Sequence, residues 1–300
     1  MTQPQAQILR GILLKLASVL LFVTMQALIK QTAARVPAGE TMAFRSAFAI
    51  PVILLWLVWQ REFRLGLRPA APLGHLWRGV MGGVSMGLGF AGLGYLPLPE
   101  VTAIGYAAPL LTVIFAAMFL DEKVPLARAL AVMAGFGGVL LVLAPRLSVG
   151  AGGPEAVAHA LGAMLVLGSA VFAALAQVFV RKLLVSDRTP VIVFWFSVTS
   201  LALSLITLPF GWVVPGPGDA LALVLAGVVG GVGQILLTAS YRHADASVIA
   251  PFDYASMLVA LLVGFFVFHE APGPLVIAGA VIISAAGIAV IWQEHRRPRR

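Results

Sequence analysis

The sequence predicts an all-α integral membrane protein of ten transmembrane helices, arranged as two inverted five-helix repeats. Of its 300 residues, 60% are hydrophobic and 11% are charged, and the mean hydropathy is +1.00. Soluble proteins carry about 25% charged residues. Ten apolar stretches approach the length of about 20 residues that crosses a bilayer. The last five stretches also repeat side chains of the first five in register.

The predicted spans are separated by short connections. They cover residues 9–30, 40–60, 76–96, 99–119, 125–144, 159–181, 190–210, 219–240, 247–268 and 273–292. The third and fourth spans are joined only by Leu96-Pro97-Leu98-Pro99. Proline lacks a backbone donor and disfavours helix in the residue before it, so this segment is predicted to turn.

The distribution of basic residues predicts which side of the membrane each loop faces. Of the 20 Lys and Arg residues, Lys30, Arg35 and Arg146 fall on one side and Arg45 lies within a span. The remaining 16 fall on the other side. Lys and Arg near span ends are retained in the cytoplasm. Both termini are therefore predicted to be cytoplasmic.

The internal repeat is visible in polar as well as apolar residues. Ser18 recurs as Ser169, Gln26 as Gln177 and Lys30 as Arg181, all at an offset of 151 residues. Five spans per repeat make the two copies run in opposite directions. Inverted repeats are typical of secondary transporters, whose substrate site lies between the repeats near the bilayer midplane. The predicted units are a first repeat at 8–144, a linker at 145–158, a second repeat at 159–292 and a basic cytoplasmic tail at 293–300.

Several motifs carry a resemblance to a known family. Asp121-Glu122-Lys123-Val124-Pro125 follows the fourth span, and His269-Glu270-Ala271-Pro272 follows the ninth. Ala43-Phe44-Arg45 lies in the second span. With the ten-span layout, these motifs resemble the EamA type of the drug/metabolite transporter superfamily, over about residues 8–292. Trp195 departs from the pattern, because it stands where Arg45 would recur.

The resemblance implies a multi-pass carrier of the bacterial inner membrane that binds a small molecule and works by alternating access. Within the superfamily the chain looks most like exporters of aromatic and other neutral amino acids. The alternatives are an exporter of cationic drugs or of other metabolites, such as nucleosides or S-adenosylmethionine. A channel and a membrane enzyme are more remote alternatives. A monomer is compatible with this layout.

Two polar stripes are candidates for the wall of a substrate cavity. Ser18, Phe22 and Gln26 lie four residues apart on one helix face, and Ser169 and Gln177 lie on the equivalent face of the sixth span. In the functional interpretation, both stripes face the cavity. In the alternative, the serines bond their own backbone and the glutamines join neighbouring helices.

Charged groups within spans are further candidates. Arg45 could bind a carboxylate bidentately, or it could extend to lipid headgroups or pair with Glu40. Asp253, after Pro251 in the ninth span, could be a proton-coupling group or bind a substrate ammonium. Alternatively, Asp253 caps the helix that restarts there.

Aromatic residues and helix breakers complete the candidate set. Tyr106 and Tyr254 recur in both halves and could line a cavity. Trp195 is a further cavity candidate. Pro109 and Pro251 are predicted to interrupt their spans. Small residues in two of the spans predict that neighbouring helices pack closely there and slide against each other. These residues are Gly79, Gly83, Gly87, Gly227 and Gly231.

Other classes of protein are disfavoured by the same residues. The basic residues are dispersed at span ends rather than clustered on a soluble face, which argues against a nucleic-acid partner. Gly87-Leu88-Gly89-Phe90-Ala91-Gly92 matches a dinucleotide fingerprint but lies inside a span without the required strand. The chain has no cysteine, and its five histidines are scattered. No cofactor and no metal site is therefore predicted.

Overall fold

The computed structural model describes residues 5–61, 63, 67–119, 125–147, 153–183, 185–243 and 250–295. Within these ranges the regular secondary structure is helical. The first half contains α1 (Gln5–Thr32), α2 (Ala38–Trp59), α3 (Pro72–Leu93), α4 (Leu98–Gly105), α5 (Ala107–Phe119) and α6 (Leu126–Leu147). The second half contains α7 (Pro154–Leu183), α8 (Thr189–Leu205), α9 (Pro217–His243), α10 (Ala255–Phe268) and α11 (Pro274–His295).

These α-helices form ten spans in the described residues, as predicted. The helices α4 and α5 follow each other as one apolar segment, Leu98–Phe119, and α10 continues from a 3₁₀ segment at Ala250–Tyr254. Six helical segments are long and apolar enough to cross a membrane, and three further apolar helices are shorter. Leu13, Leu55 and Phe266 are among many exposed apolar side chains. Such a surface suits lipid rather than water.

Helix contacts follow the internal repeat. The helix α1 corresponds to α7, and α3 corresponds to α9. In the structure, α1 packs against α9 and α3 packs against α7, so the same contact occurs twice with the halves exchanged. Three pairs of equivalent helices also meet each other, namely α2 with α8, α4 with α10 and α6 with α11. A two-fold axis in the membrane plane produces this arrangement.

The contact between α6 and α11 shows why small residues are needed between the halves. A Cβ atom on Gly138 of α6 would lie 2.8 Å from the carbonyl oxygen of Gly279 in α11. A Cβ atom on Gly279 would lie 2.6 Å from the carbonyl oxygen of Gly138. The two backbones are therefore in direct contact. Close approach through small residues is typical of membrane helices, which gain little from burying apolar surface.

The predicted packing glycines lie in three other helix contacts. Gly79 and Gly83 face α8, where a Cβ atom on Gly83 would lie 2.8 Å from Leu203. Gly87 faces Met42 of α2. Gly227 and Gly231 lie against α2, and a Cβ atom on Gly227 would lie 2.6 Å from Phe48. Sliding along these contacts stays a prediction.

Proline positions explain the interruption of the fourth span. Pro109 has no N–H to donate to the carbonyl of Gly105, which lies four residues earlier. The helix accordingly breaks at Tyr106, between α4 and α5. In the second half, the related segment Ala250–Tyr254 contains Pro251 and is 3₁₀ rather than α. The first half therefore has a span that is broken at Tyr106, and the second half changes from 3₁₀ to α-helix at the equivalent residue, Tyr254.

Several helix ends differ from the predicted limits. The helix α8 ends at Leu205 rather than at 210, because Pro209 and Gly211, with φ +89°, form a short 3₁₀ turn there. The helix α6 reaches Leu147 and α7 begins at Pro154, so the helices extend into the predicted linker. Residues 148–152 of that linker and residues 296–300 of the tail lie outside the described part of the chain.

One buried carboxylate connects two loops on the predicted cytoplasmic side. Asp187 lies between α7 and α8 and accepts a hydrogen bond of 2.8 Å from the Ala70 amide, just before α3. Its second carboxylate oxygen lies 3.1 Å from Nε2 of His75. Burial raises the pKa of Asp187, but its hydrogen bonds from Ala70 and Ser186 and its close contact with His75 outweigh this effect. The pKa is therefore held below its ordinary value.

We expect Asp187→Asn to lower the free energy of unfolding by about 1–2 kcal/mol at neutral pH, because it removes charge-assisted contacts of a buried group. The native pKa is below the unfolded one, so the contribution of Asp187 is present above an ordinary aspartate pKa and is lost as pH falls. Thermal unfolding of the purified protein in detergent at several pH values measures the difference. Exposed Glu155 has no partner in the described residues, so Glu155→Gln is the control. An equal difference at neutral and strongly acidic pH would contradict this account.

Candidate functional site

A cavity of ≈ 330 Å³ lies beside the broken span of the first half. Its walls come from α1, α3 and α4 of the first half and from α7 and α10 of the second. The polar lining residues are Gln26, Ser85, Thr102, Tyr106, Ser169 and Ser256. The remaining ones are apolar or glycine, namely Met86, Gly89, Phe90, Leu93, Val101, Gly105 and Val166. The cavity therefore lies between the two repeats, at a discontinuous helix.

Gln26 presents the clearest free polar atom in this cavity. Its Oε1 atom is buried and has no hydrogen-bond partner. An unsatisfied buried carbonyl costs free energy unless a ligand supplies a donor. Gln177, the repeat equivalent of Gln26, is exposed and does not line the cavity. The helix α7 contributes Ser169 and Val166 instead, so the two predicted polar stripes occupy different environments.

The two repeat-related serines also differ. Ser18 is fully buried and donates a 2.7 Å hydrogen bond to the Lys15 carbonyl of its own helix. Ser169 faces α3. It donates to the Ser85 carbonyl at 2.7 Å, and Ser85 donates to the Ser169 carbonyl at 2.8 Å. This reciprocal pair joins the halves at the wall of the cavity.

Tyr106 and Tyr254 occupy equivalent positions in the two repeats, and their rings contact each other between the halves. Their ring centroids are 5.0 Å apart. The Tyr106 hydroxyl donates a 3.0 Å hydrogen bond to the Asp253 carbonyl and also contacts the Ser256 hydroxyl. Tyr106 lines the cavity, whereas Tyr254 lies behind it. The Tyr106 hydroxyl thus connects the break in the first half to the 3₁₀ segment of the second.

Asp253 is paired rather than free. Its carboxylate lies 2.7 Å from the Nζ atom of Lys15, whose side chain is buried in α1. The helix α10 begins at Ala255 with Tyr254 as its N-cap and has no side-chain cap. The expectation that Asp253 caps this helix is therefore wrong. Lys15, one of the 16 basic residues that the sequence places on the cytoplasmic side, supplies its countercharge instead.

Arg45 neither extends to lipid headgroups nor pairs with Glu40. Its side chain is only 5% exposed, and Glu40 accepts a 3.0 Å hydrogen bond from the Val213 amide. The Arg45 guanidinium lies over the ring of Phe196 in α8, 5.7 Å from its centroid. Trp195, beside Phe196, donates to the Leu67 carbonyl at 3.1 Å and does not line the cavity.

Other predicted residues contact helices rather than the cavity. Phe22 packs on α9, where its ring would lie 3.4 Å from a Cβ atom on Gly233. Pro109 follows the break at Tyr106, and Pro251 lies in the 3₁₀ segment of the second half. Ser85, Thr102 and Phe90 also line the cavity but were not predicted, because none of them recurs in the second half. A small or polar residue one turn from a helix break is the signal that would have suggested Thr102 and Ser256.

Charged side chains at the other end of the bundle are paired. Lys30 of α1 lies 2.8 Å from the Glu270 carboxylate and donates to the Leu96 carbonyl at 2.6 Å. Glu270 also accepts a 2.8 Å hydrogen bond from the Leu98 amide, at the start of α4. This cluster joins α1 and the α3–α4 turn to the second half. Glu122, the repeat equivalent of Glu270, lies outside the described residues.

Comparison with known proteins agrees with this architecture. The model of the EamA-like transporter family matches residues 9–144 and 160–293. The chain belongs to the EamA-like transporter family. It is therefore a multi-pass transporter of the bacterial inner membrane, in the drug/metabolite transporter superfamily, and not an enzyme. Duplicated repeats are a property of this family, in line with the paired helix contacts.

Individual relatives carry different substrates. The pseudopaline exporter CntI of Pseudomonas aeruginosa strain UCBPP-PA14 is 32% identical over 93% of this chain and 95% of its own length. The S-adenosylmethionine uptake transporter of Rickettsia bellii is 25% identical over 89% of this chain and 88% of its own length. A solved crystal structure with 23% identity has the same fold, with a TM-score of 0.68 over 96% of this chain and 99% of that one.

We expect Gln26→Ala to reduce transport strongly, because it removes the free polar atom of the cavity. A lost hydrogen bond of about 1–2 kcal/mol corresponds to a fall of about five- to thirty-fold in kcat/KM. Transport by reconstituted protein measures this change. Gln177→Ala is the matched control, since it makes the same change at the repeat-related position outside the cavity. Equal effects of the two substitutions would contradict the placement of the site.

We also expect Glu270→Gln to weaken closure at the predicted extracytoplasmic end. Losing about 1 kcal/mol of interaction shifts a two-state equilibrium about five-fold. The chain has no native cysteine, so Thr102→Cys supplies one thiol in the cavity. Labelling of intact cells with a membrane-impermeant maleimide should rise about five-fold when Glu270→Gln is added.

Asp219→Asn provides the control for this experiment. It breaks an ion pair with Arg35 at the same predicted end, where Arg35 is exposed. The Arg35 guanidinium donates hydrogen bonds of 2.9 and 2.6 Å to the two carboxylate oxygens of Asp219. If Asp219→Asn changed labelling as much as Glu270→Gln, a specific closing role for Glu270 would be excluded.

Proposed function

We propose that this transporter exports small, net-neutral metabolites, chiefly neutral and aromatic amino acids, by alternating access between its two halves. The observation that carries the proposal is the uncharged cavity between the repeats, in which Gln26 offers an unused hydrogen-bond acceptor. The substrate class is the one that the family resemblance of the sequence also suggested.

The size of the cavity favours a small substrate. Ligand sites in proteins commonly measure about 300–1,000 Å³, so ≈ 330 Å³ is near the lower end. Phe90 and Tyr106 offer aromatic surface for a flat or apolar side chain. Gln26 and the hydroxyl of Thr102 offer acceptors for an ammonium group. An aromatic or branched amino acid satisfies all these groups.

The charge of the lining supports a net-neutral substrate. No ionisable side chain other than Tyr106 lines the cavity in the described residues. Lys15 and Lys30 are each engaged by a carboxylate at 2.7–2.8 Å. A cationic drug would need an uncompensated negative charge, because an unpaired charge is costly in this environment. The cavity therefore disfavours cationic drugs and S-adenosylmethionine.

A second candidate comes from the relatives. The Pseudomonas protein that is 32% identical over most of the chain is named as a pseudopaline exporter. That name supports the export direction as well as an alternative substrate. A molecule of the pseudopaline kind is therefore included among the competitors below.

Counterflow in proteoliposomes tests the proposal. Vesicles loaded with unlabelled phenylalanine, threonine and methionine are diluted into the labelled amino acids, with and without a proton gradient. We expect a saturable overshoot that excess lysine and glutamate do not inhibit. Vesicles without protein and vesicles with the Gln26→Ala variant are the controls. Uptake without saturation would indicate a channel. Overshoot only with pseudopaline, a nucleoside or S-adenosylmethionine would contradict the amino-acid proposal.

A further inference from the structure

We propose that Arg45, Ser46, Arg78 and Ser200 form an anion subsite between α2, α3 and α8, which binds the carboxylate of the transported substrate. This inference rests on the proposed function for the identity of the substrate. The existence of the site does not depend on that function, because the side chains that form it lie outside the ≈ 330 Å³ cavity.

The first support is a concentration of hydrogen-bond donors without acceptors. Both Nε and Nη1 of Arg45 are buried and unpartnered, and so are both Nε and Nη1 of Arg78. The hydroxyls of Ser46 and Ser200 are buried and unpartnered as well. In the described residues, these six atoms make up most of the buried side-chain atoms that lack a partner. Donors gathered without an acceptor indicate a site for an anion.

The second support is the packing that brings these groups together. The Arg45 and Arg78 guanidinium groups lie over the same Phe196 ring, at 5.7 and 3.7 Å from its centroid. Their Cζ atoms therefore lie within about 9.4 Å of each other. Ser200 lies one turn from Phe196 on α8 and would be 3.6 Å from a Cβ atom on Gly83 of α3. Ser46 follows Arg45 and is fully buried on α2.

The ring of Phe196 accounts for how two like charges persist inside the bundle. An aromatic face attracts a guanidinium through its quadrupole. The N–H groups of a guanidinium lie in its plane, so this contact stabilises the charge without using the donors. The donors remain free for an oxyanion, which Arg binds in a bidentate manner.

In the described residues, no protein carboxylate accepts a hydrogen bond from Arg45 or Arg78. Glu40, the nearest acidic residue of α2 in sequence, is bonded to the Val213 amide. Asp219 of α9 pairs with Arg35, and Asp187 after α7 contacts Ala70 and His75. Arg45 is buried and Arg78 is partly buried, and cations without a counterion are unfavourable in a membrane interior. A substrate anion would supply the missing charge during each cycle.

The subsite lies beside the proposed route of the substrate. Arg78 and Ser85 are seven residues apart and therefore on the same face of α3, about 10 Å along the helix. Ser85 lines the cavity, and Arg78 is nearer the predicted cytoplasmic end. Arg45 lies beside Gly230, whose Cβ position is 3.5 Å from Arg45 Nε and also contacts Met25, the neighbour of Gln26. An exported carboxylate would thus meet Arg78 before it reaches the cavity, and Arg45 beside the cavity wall.

Binding of a simple carboxylate tests the site without assuming the transported substrate. Benzoate should raise the melting temperature of the purified protein in detergent, whereas benzamide, which is neutral and of similar shape, should not. Arg45→Met and Arg78→Met should each weaken benzoate binding by about ten-fold or more, the loss expected for a charged hydrogen bond. Without ligand, the Met variants should be at least as stable as the wild type, because an unpaired buried charge has been removed.

Controls separate this role from a structural one. Arg68→Met changes an exposed loop arginine on the same predicted side and should leave benzoate binding unchanged. If a Met variant does not yield folded protein, the corresponding Lys variant keeps the charge and loses the bidentate fork, and benzoate binding should still fall. Unchanged benzoate binding in the folded Arg45→Met/Arg78→Met double variant would overturn the proposal. Stabilisation by inorganic phosphate but not by benzoate would overturn the carboxylate assignment.

Transport then distinguishes failure of the subsite from failure of the proposed function. In counterflow, the wild type should prefer phenylalanine to phenylalaninamide, and the arginine variants should lose this preference through a higher KM for phenylalanine. Amino-acid counterflow that is unaffected by the double variant would refute the subsite and leave the function intact. Arginine-dependent benzoate binding without amino-acid counterflow would support the subsite and refute the amino-acid proposal.

Discussion

Backbone hydrogen bonding inside a bilayer is the constraint on which the rest of this structure depends. No water is available there to satisfy a free N–H or C=O group, so spans are helical and a break needs partners within the protein. Pro109 imposes such a break at Tyr106, and the second half changes from 3₁₀ to α-helix at the equivalent Tyr254. The Tyr106 hydroxyl donates a 3.0 Å hydrogen bond to the Asp253 carbonyl. The first half thus satisfies a carbonyl at this transition in the second half, and the cavity lies beside it.

The same lack of water explains how charge is distributed in the molecule. Lys15 and Lys30 are held by Asp253 and Glu270, respectively, at distances of 2.7–2.8 Å. Each of these pairs joins the first half to the second. Ionic contacts therefore lie between the bodies that must move against each other in alternating access. Arg45 and Arg78 depart from this rule, since their guanidinium groups lie beside an aromatic ring and contact no carboxylate of the described residues.

An inverted repeat does not make the two halves chemically equal. Gln26 lines the cavity while Gln177 is exposed, and Ser169 joins α3 while Ser18 bonds its own helix. The repeat constrains backbone packing, because the same helix pairs meet twice. Side chains need only fit one substrate, which is itself asymmetric. Divergence between the copies is therefore expected where they line the cavity.

The sequence by itself determined the membrane class, the ten spans, the duplication and the family, because apolar length, turn prolines and repeated residues are local features of the chain. It also identified three residues that line the cavity, Gln26, Tyr106 and Ser169. Arg45, which lies outside the cavity, was identified as well. Only the tertiary structure decided that Gln177 and Trp195 lie outside the cavity, that Lys15 pairs with Asp253, and that Arg78 lies beside Arg45. Such outcomes depend on how each helix is rotated against its neighbours. That rotation follows from contacts between residues far apart in sequence, such as Gly138 with Gly279 and Ser85 with Ser169, which no periodicity within one span reveals.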